Sequence, residues 1–311
     1  MRFPPLRSVL ITGASGYIGS ALMWRLLRDG VQAPLRPCDV RDPVSVRRAL
    51  QRFATPPDAC IHLASALPRA GVSEELFHEV NAVGTQIVAE ACRGAGVRAF
   101  VLASSASVFA GGAALDEAAP REPTTPYGAS KVAAEDAIAQ VASLGGMRAV
   151  TLRLFNVAGA APSLLERPPA ATLLIPLAIR AALRQSPPIR VNGTDYATPD
   201  GTCLRDYIHV EDAVSALIRC AEWAAAQQEL PTYEVFHAGS GHGSSIRDVL
   251  AAVTSELGVD VPTIEGPARA GDAPILVSDP RKMQRVLGLT PSTDLRRMVR
   301  DYARQLGVPT V

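Results

Sequence analysis

Lysine is nearly absent from this chain: of 31 basic residues only Lys131 and Lys282 are lysines, and arginine supplies the rest. The five cysteines (Cys38, Cys60, Cys92, Cys203, Cys220) are scattered, odd in number and without a CxxC pair. That spacing argues against a disulfide framework and for reduced thiols with structural roles, as in a cytoplasmic protein. The five histidines form neither an HxxxH nor an HExxH spacing, so no metal is expected. Acids and bases nearly cancel, at a net charge of +1, which leaves no electrostatic footprint for nucleic acid. Long apolar runs are missing as well. The best, "ATLLIPLAI", is too short to span a bilayer and is interrupted by Pro176. The start, "MRFPPLRSVLITGASG", carries no long apolar region before a small-residue cleavage site, so no signal peptide is expected.

What is present is an ordinary globular composition: 311 residues, 48% hydrophobic and 20% charged, enough for one large core or two linked ones. The first half alternates short apolar runs with helical periodicity. Ser8–Thr12, Ala59–Ala64, Ala99–Ala103 and Ala149–Leu154 read as buried strands. Tyr17–Arg28, Val44–Phe53, Ser73–Arg93, Tyr127–Ser143 and Leu174–Gln185 read as helices. That alternation predicts an α/β fold, a doubly wound parallel sheet of the Rossmann kind covered on both faces. After Asn156 the rhythm loosens into "VAGAAPSLLERPPAA", a Pro- and Ala-rich crossover towards a smaller α/β unit.

"ITGASGYIGS" puts Gly13, Gly16 and Gly19 directly after the first strand and at the mouth of the first helix. Glycines there let backbone approach a pyrophosphate, and the helix N-terminus adds donors and a positive dipole. An acid for the adenosine ribose is expected about 20 residues on. Here the chain runs "VQAPLRPCDVRDP", the first acid is Asp39, and Arg36 precedes it, so NAD and NADP both stay open.

One of the two lysines stands four residues after a tyrosine, in "TTPYGASKVAAE". Residues i and i+4 share a helix face, so Tyr127 and Lys131 project into one cleft. A tyrosine, with a reference pKa near ~10, is a poor base near neutrality unless a positive charge favours phenolate. A compact ammonium can lie near a phenolate and also bond a ribose hydroxyl, which arginine's wide fork does less well. An isolated YxxxK is ordinarily a surface pair; the glycine loop and the "SSAS" ahead of it make this one a candidate site.

With these motifs in view, the chain resembles the extended short-chain dehydrogenase/reductase family, and within it the UDP-galactose 4-epimerases. The likeness runs through "TGASGYIGS", "IHLAS", "VNAVGT", "SSASVF", "PYGASK", "LRLFNVAGA", "GTDYATPDGTCLRDYIHVEDAV", "HAGSGHGSSIRDV" and "ARAGD". The resemblance implies Tyr127 as catalytic acid/base, Lys131 as its partner and Ser105 as the hydroxyl completing the triad. It places bound NAD along Gly13, Ser15, Gly16, Tyr17, Ile18, Gly19, Asp39, Val40, Leu63, Ala64, Ser65 and Asn81, with Tyr127 and Lys131. It places a UDP-sugar along Ser105, Asn156, Leu174, Arg205, Arg269 and Asp272, with Asp206 beside Arg205. The implied reaction is 4-epimerisation through a transient 4-keto sugar. The implied architecture is a dinucleotide-binding domain, 1–156 plus about 206–232, and a nucleotide-sugar-binding domain, about 157–205 plus 233–311. Relatives pair subunits through helices matching Ser73–Arg93 and Tyr127–Ser143, which implies a homodimer, with no nucleic acid or membrane partner.

The chain also departs from that pattern. Related dehydratases carry an acid just after the catalytic hydroxyl position; this chain has Ala106 and Ser107, which favours epimerisation over elimination. Leu154 and Phe109 stand where the family often has Tyr, and Asn192 where an aromatic often covers the base. Leu276 falls near a position where a bulky Tyr limits the sugar, which implies room for an N-acetyl group. A whole βα unit is missing after the first helix. Either Val31–Cys38 fills the second-strand place, with Asp39 at its tip near the ribose, or Asp39 lies near the adenine and no ribose acid exists. A loosely held cofactor would suit an NAD(P)-dependent sugar-nucleotide dehydrogenase or ketoreductase. A nucleotide-sugar-binding module without turnover is the third reading the residues leave open.

Overall fold

A computed structural model describes residues 3–34, 37–69, 71–161, 173–226, 232–269, 271–292 and 294–311. Arg36 and most of the Pro- and Ala-rich crossover lie outside the described residues. The chain begins with β1 (Val9–Thr12), α1 (Tyr17–Arg28), α2 (Pro43–Leu50) and β2 (Ala59–His62). Then come α3 (Glu74–Phe77), a π-helical turn at His78–Val83, α4 (Gly84–Gly94), β3 (Ala99–Ser105) and β4 (Gly112–Leu115). The middle holds α5 (Pro126–Ser143), β5 (Arg148–Leu154), β6 (Asn156–Ala158), α6 (Leu174–Ala182), β7 (Ile189–Asn192), β8 (Leu204–His209) and α7 (Val210–Ala226). The rest is β9 (Tyr233–Ala238), β10 (Gly243–Ser245), α8 (Ile246–Leu257), β11 (Thr263–Gly266), β12 (Ile275–Ser278), α9 (Arg281–Leu287) and α10 (Leu295–Gln305).

Five short apolar strands pair in parallel in the order β1-β2-β3-β5-β9. One face is covered by α1 and α7, where Leu22, Leu26, Leu217 and Phe236 are buried; the other by α2, α4 and α5, where Val46, Val88 and Ile138 are buried. This is the doubly wound parallel sheet that the alternation predicts. A second sheet runs β10-β8-β12-β4 with β6 on β8, and β7 pairs with β11. Around it α6, α8 and α10 enclose a third core holding Ile179, Val253 and Tyr302. Burying each such side chain contributes about 1.5–3 kcal/mol, so each core can support its own layer. β9 is the fifth strand of the first sheet, although the sequence division would assign Tyr233 onward to the other part.

Two differences from the sequence reading bear on function. Ser73–Arg93 is not one regular helix: the π turn interrupts it. A π turn fits an extra residue into the helix and re-aims a side chain; here it contains the buried Asn81. The chain after α1 does return beside β1, among the described residues only as a bridge between Ser8 and Gln32. Val9 donates to the Gln32 carbonyl and Gln32 to the Arg7 carbonyl, each at 2.8 Å. Among the described residues the second-strand place is therefore held by a single residue pair.

Candidate active site

β1 delivers the glycine loop to the C-terminal edge of the sheet. Gly13 has φ +70°, and a Cβ there would come within 2.6 Å of the Ala64 amide nitrogen. A Cβ at Gly19 would drive into the Gly13 carbonyl oxygen. Gly16 caps α1 without a side-chain bond, which leaves first-turn amides facing outward as donors. Backbone this bare at a helix N-terminus fits the pyrophosphate of a dinucleotide, with Ser15 and Ile18 flanking the turn. Tyr17 differs from the rest. Its hydroxyl donates to the Gly159 carbonyl and its ring stacks on Tyr302 at 6.3 Å, so its side chain ties α1 to α10 rather than facing the loop.

β2 ends beside that loop, and Asn81 fixes the segment leading out of it. Its amide oxygen accepts from Ser65 Oγ at 2.9 Å and Ala66 N at 2.7 Å, while its nitrogen donates to Ala66 O at 3.1 Å and Ser130 Oγ at 2.9 Å. Ser65 and Ala66 are thereby clamped between the π turn and α5, while Leu63 and Ala64 donate to Thr12. Val40 is buried, and a Cβ on Gly84 would meet its Cγ2 at 2.8 Å, which seats the Asp39–Val40 pair on the start of α4. The Asp39 carboxylate is bound by Arg41, with Nη2 at 2.9 Å and Nε at 3.1 Å, and this partner holds it below the usual carboxylate range. Asp39 N donates to Ser45 Oγ at 3.1 Å, so the residue sits against the first turn of α2.

α5 starts where Thr125 caps it, accepting from Gly128 N at 3.1 Å, with Pro126 in its first turn. Gly128 permits close contact: a Cβ there would strike the Ser107 carbonyl oxygen, so the turn after β3 rests directly on the helix start. That brings Ser105, at the end of β3, near the Tyr127 hydroxyl, with Ser65 near it as well. Phe77 meets the Tyr127 ring edge-on at 5.8 Å. Lys131 is 4% exposed, its Nζ donating to the Ala103 carbonyl at 3.0 Å and lying 5.8 Å from the Tyr127 ring centre. Burial pushes the Tyr127 phenol up, and the hydroxyls of Ser105 and Ser65 hold it down. Burial brings Lys131 down to about 8, opposed by Glu135.

Two members of this neighbourhood are not singled out by the sequence reading. His62 is buried at the end of β2, with Nδ1 2.7 Å from Thr12 Oγ1 and Nε2 3.1 Å from Thr85 Oγ1. Burial, then the charge of Lys131, bring it down to about 3. Glu135 is wholly buried one turn beyond Lys131. A polar residue interrupting an apolar strand, and an acid at i+8 from the tyrosine, are the signals that could have marked them.

On the substrate side, Arg205 Nη1 donates to the carbonyls of Ala273 at 2.7 Å and Leu204 at 2.9 Å, and Nη2 to Asp272 at 3.3 Å. Arg269 faces the Asn192 amide, and with that amide turned oxygen-first it donates through Nη2 at 3.0 Å and Nε at 3.1 Å. Thr124, just ahead of α5, donates to the Gly271 carbonyl at 3.2 Å, so the Arg269–Asp272 loop adjoins the Tyr127 turn. Asn156 pairs with Tyr207 across β6 and β8, and Leu174 opens α6. Asp206 faces inward instead. It is wholly buried and accepts from Ser240 N and Oγ, Gly241 N, and Ser278 N and Oγ, joining β8 to the segments after β9 and at the end of β12. Leu276 packs against the small core of Val108, Phe109 and Phe155. All five cysteines are free, and among the described residues no group of three or more His, Cys, Asp or Glu could hold a metal.

The chain matches the model of the NAD dependent epimerase/dehydratase family over residues 9–236. It is 33% identical to a UDP-glucose 4-epimerase of Azospirillum brasilense, an alignment covering 92% of this chain and 88% of that one. Among solved structures, UDP-glucose 4-epimerase from Brucella ovis in complex with NAD is similar at a TM-score of 0.89 and 30% identity, covering 98% of this chain and 100% of that one. UDP-glucose-4-epimerase from Stenotrophomonas maltophila, with bound NAD and formylated UDP-arabinopyranose, gives 0.87 and 29%, over 97% and 99%. With the glycine loop, the Tyr127 helix and the whole parallel sheet lying almost entirely inside the matched span, the chain belongs to the NAD dependent epimerase/dehydratase family.

Proposed function

We propose that the protein is an NAD-dependent 4-epimerase of nucleotide sugars, with a UDP-hexose as substrate. The observation that carries this reading is the arrangement around Tyr127: a phenol at the sheet edge, the hydroxyls of Ser105 and Ser65 near it, and a buried lysine one turn away, beside a bare glycine loop. NAD bound there would accept a hydride from C4 of the sugar and return it to the opposite face. Tyr127 takes the proton of the 4-hydroxyl and gives it back, with Lys131 supplying the positive charge that favours phenolate. Ser105 holds the same oxygen in line. Gly13, Ser15, Gly16, Ile18 and Gly19 approach the pyrophosphate; Tyr17 contributes its backbone. Leu63, Ala64 and Ser65 form the floor that Thr12 and Asn81 fix, and Asp39 with Val40 takes the adenine side. Arg205 and Arg269 bind the diphosphate through fixed donor forks, held by Asp272 and Asn192, and Asn156 and Leu174 line the sugar nucleotide.

The division of labour puts cofactor binding in 1–156 with about 206–232, and sugar-nucleotide binding in about 157–205 with the remainder, β9 serving the first sheet. The exposed side of the π turn and α5, with Val83 40% exposed and Ala129 open to solvent, supports a homodimer through these helices. A small-molecule enzyme acting in the cytoplasm, without nucleic acid or membrane partners, completes the reading; no described helix is long and apolar enough to cross a membrane. A dehydrogenase or ketoreductase is the second reading, favoured by Asp39, whose carboxylate is already taken by Arg41. Incubation with UDP-galactose and NAD, followed by NMR and by absorbance of NADH, separates them. UDP-glucose without accumulating NADH supports the epimerase, and stoichiometric NADH overturns it.

A further inference from the structure

Glu135 has no exposed surface, yet it is surrounded by donors. Ser104 Oγ donates to Oε1 at 2.6 Å, Arg153 to the two oxygens through Nε at 3.0 and 3.3 Å and Nη2 at 2.8 Å, and Arg121 Nη1 lies 3.5 Å from Oε2. The positions 127, 131 and 135 recur every fourth residue of α5, so tyrosine, lysine and glutamate share one face. Two successive residues of β3 hold two successive turns of that face: the Ala103 carbonyl takes Lys131 and the Ser104 hydroxyl takes Glu135. A buried carboxylate pinned this firmly presents a fixed negative charge to the ammonium one turn away.

We propose that Glu135 is a positioning residue that keeps the Lys131 ammonium charged and in place under Tyr127, with Arg153 setting how much of its charge Lys131 feels. The inference rests on the catalytic reading of Lys131. The charged and titratable groups around Lys131 are Tyr127 and Glu135 from α5 and His62 from β2. Those around Glu135 are Arg153 from β5, Arg121 from the loop ahead of α5, and Tyr233 from β9, with His237 of β9 against Arg153. His62 is neutral there, so Glu135 is the anion that opposes the desolvation of Lys131. Removing the carboxylate charge also leaves the Arg153 guanidinium uncompensated, and both changes disfavour a second cation.

Because the chain has only two lysines, protein labelled with 13C at lysine Cε gives two titrating signals, and Lys282→Arg assigns them. In Glu135→Gln the Lys131 midpoint falls from near 8 by about one pH unit or more. In Arg153→Met it rises, since of the two guanidiniums on Glu135 only the longer contact from Arg121 then remains. Glu135→Asp, which keeps the charge, restores most of the native midpoint. The alkaline limb of kcat/KM on UDP-galactose moves with the midpoint in each variant. Opposite shifts in Glu135→Gln and Arg153→Met support the proposal. An unmoved midpoint in Glu135→Gln, or shifts of the same sign in both, overturns it, because a purely structural pair would disturb Lys131 alike from either side. Should Glu135→Gln fail to fold, Arg153→Met decides: a rise supports the proposal and no rise overturns it. The NMR midpoint is read without turnover, so a protein that shows the shifts but epimerises nothing contradicts the function and leaves the role of Glu135 standing.

Discussion

Acid should attack the interior of this protein at its buried histidines, His62 foremost. Its ring lies between two threonine hydroxyls. Thr85 Oγ1 spends its own proton on the Asn81 carbonyl at 2.5 Å, so Nε2 of His62 carries the hydrogen towards Thr85, and Nδ1 accepts from Thr12. A second proton would have to enter a wholly buried site next to Lys131. His62 accordingly falls from 6.5 to about 3, and burial, then the charge of Arg153, bring His237 from 6.5 to about 4. Both folded-state values lie below the unfolded one, so the unfolded chain binds protons first. Stability is complete above about 6.5 and is lost as pH falls from there towards 3–4. At pH 4.5 each ring costs up to about 2.7 kcal/mol, together roughly 5 kcal/mol, a large share of the stability of an ordinary domain. Urea denaturation at a series of pH values between 7 and 4.5 measures the slope. Replacing His62 with Asn should lower stability at pH 7, yet flatten the acid slope by up to about 1.4 kcal/mol per pH unit. Equal slopes in the two proteins would show that His62 is not the group that acid attacks.

Tyr127→Phe should cut the epimerisation rate by about 100-fold or more with the fold intact, read by NMR of the product; a milder loss would mean another group moves the proton. Gly19→Ala places a methyl against the Gly13 carbonyl and should abolish NAD binding in calorimetry, whereas unchanged binding would remove the loop from the cofactor site. Asp39→Ala should weaken NAD binding several-fold, less than loss of a ribose carboxylate would, since Arg41 already occupies it; unchanged affinity would take Asp39 out of the site. Leu276 in place of a bulky aromatic should let UDP-GalNAc react at a rate within about tenfold of UDP-galactose, and negligible turnover beside good UDP-galactose activity would count against it.

The legible part of this fold is what local spacing encodes. The glycine loop and the Tyr127–Lys131 pair can be read because their geometry lies within one loop and one helix turn. The strands of the first sheet that the sequence marks are placed to within a residue or two, because each is a short apolar run. The π turn leaves no mark, since Glu74 to Gly94 keeps a helical pattern with no breaker before Gly84. Its cause is tertiary: Asn81 must reach Ser65, Ala66 and Ser130 at once. Arg205 and Asp272 are 67 residues apart, so their pairing is out of reach of local spacing, and the neighbouring Asp206 draws attention although it is a buried hub. His62 and Glu135 show the same limit. A single polar residue in an apolar segment reads alike whether it is filling a core or tuning a lysine.

A redox-neutral epimerase removes a hydride from C4 of the sugar and returns it to the same carbon within one site. UDP-galactose deuterated at C4 tests this directly, with the UDP-glucose product examined by NMR and mass spectrometry. Deuterium should be retained at C4 of the inverted sugar, even with a large excess of unlabelled NADH in solution. Washout of the label, or its appearance in free NADH, would contradict hydride return at a single site.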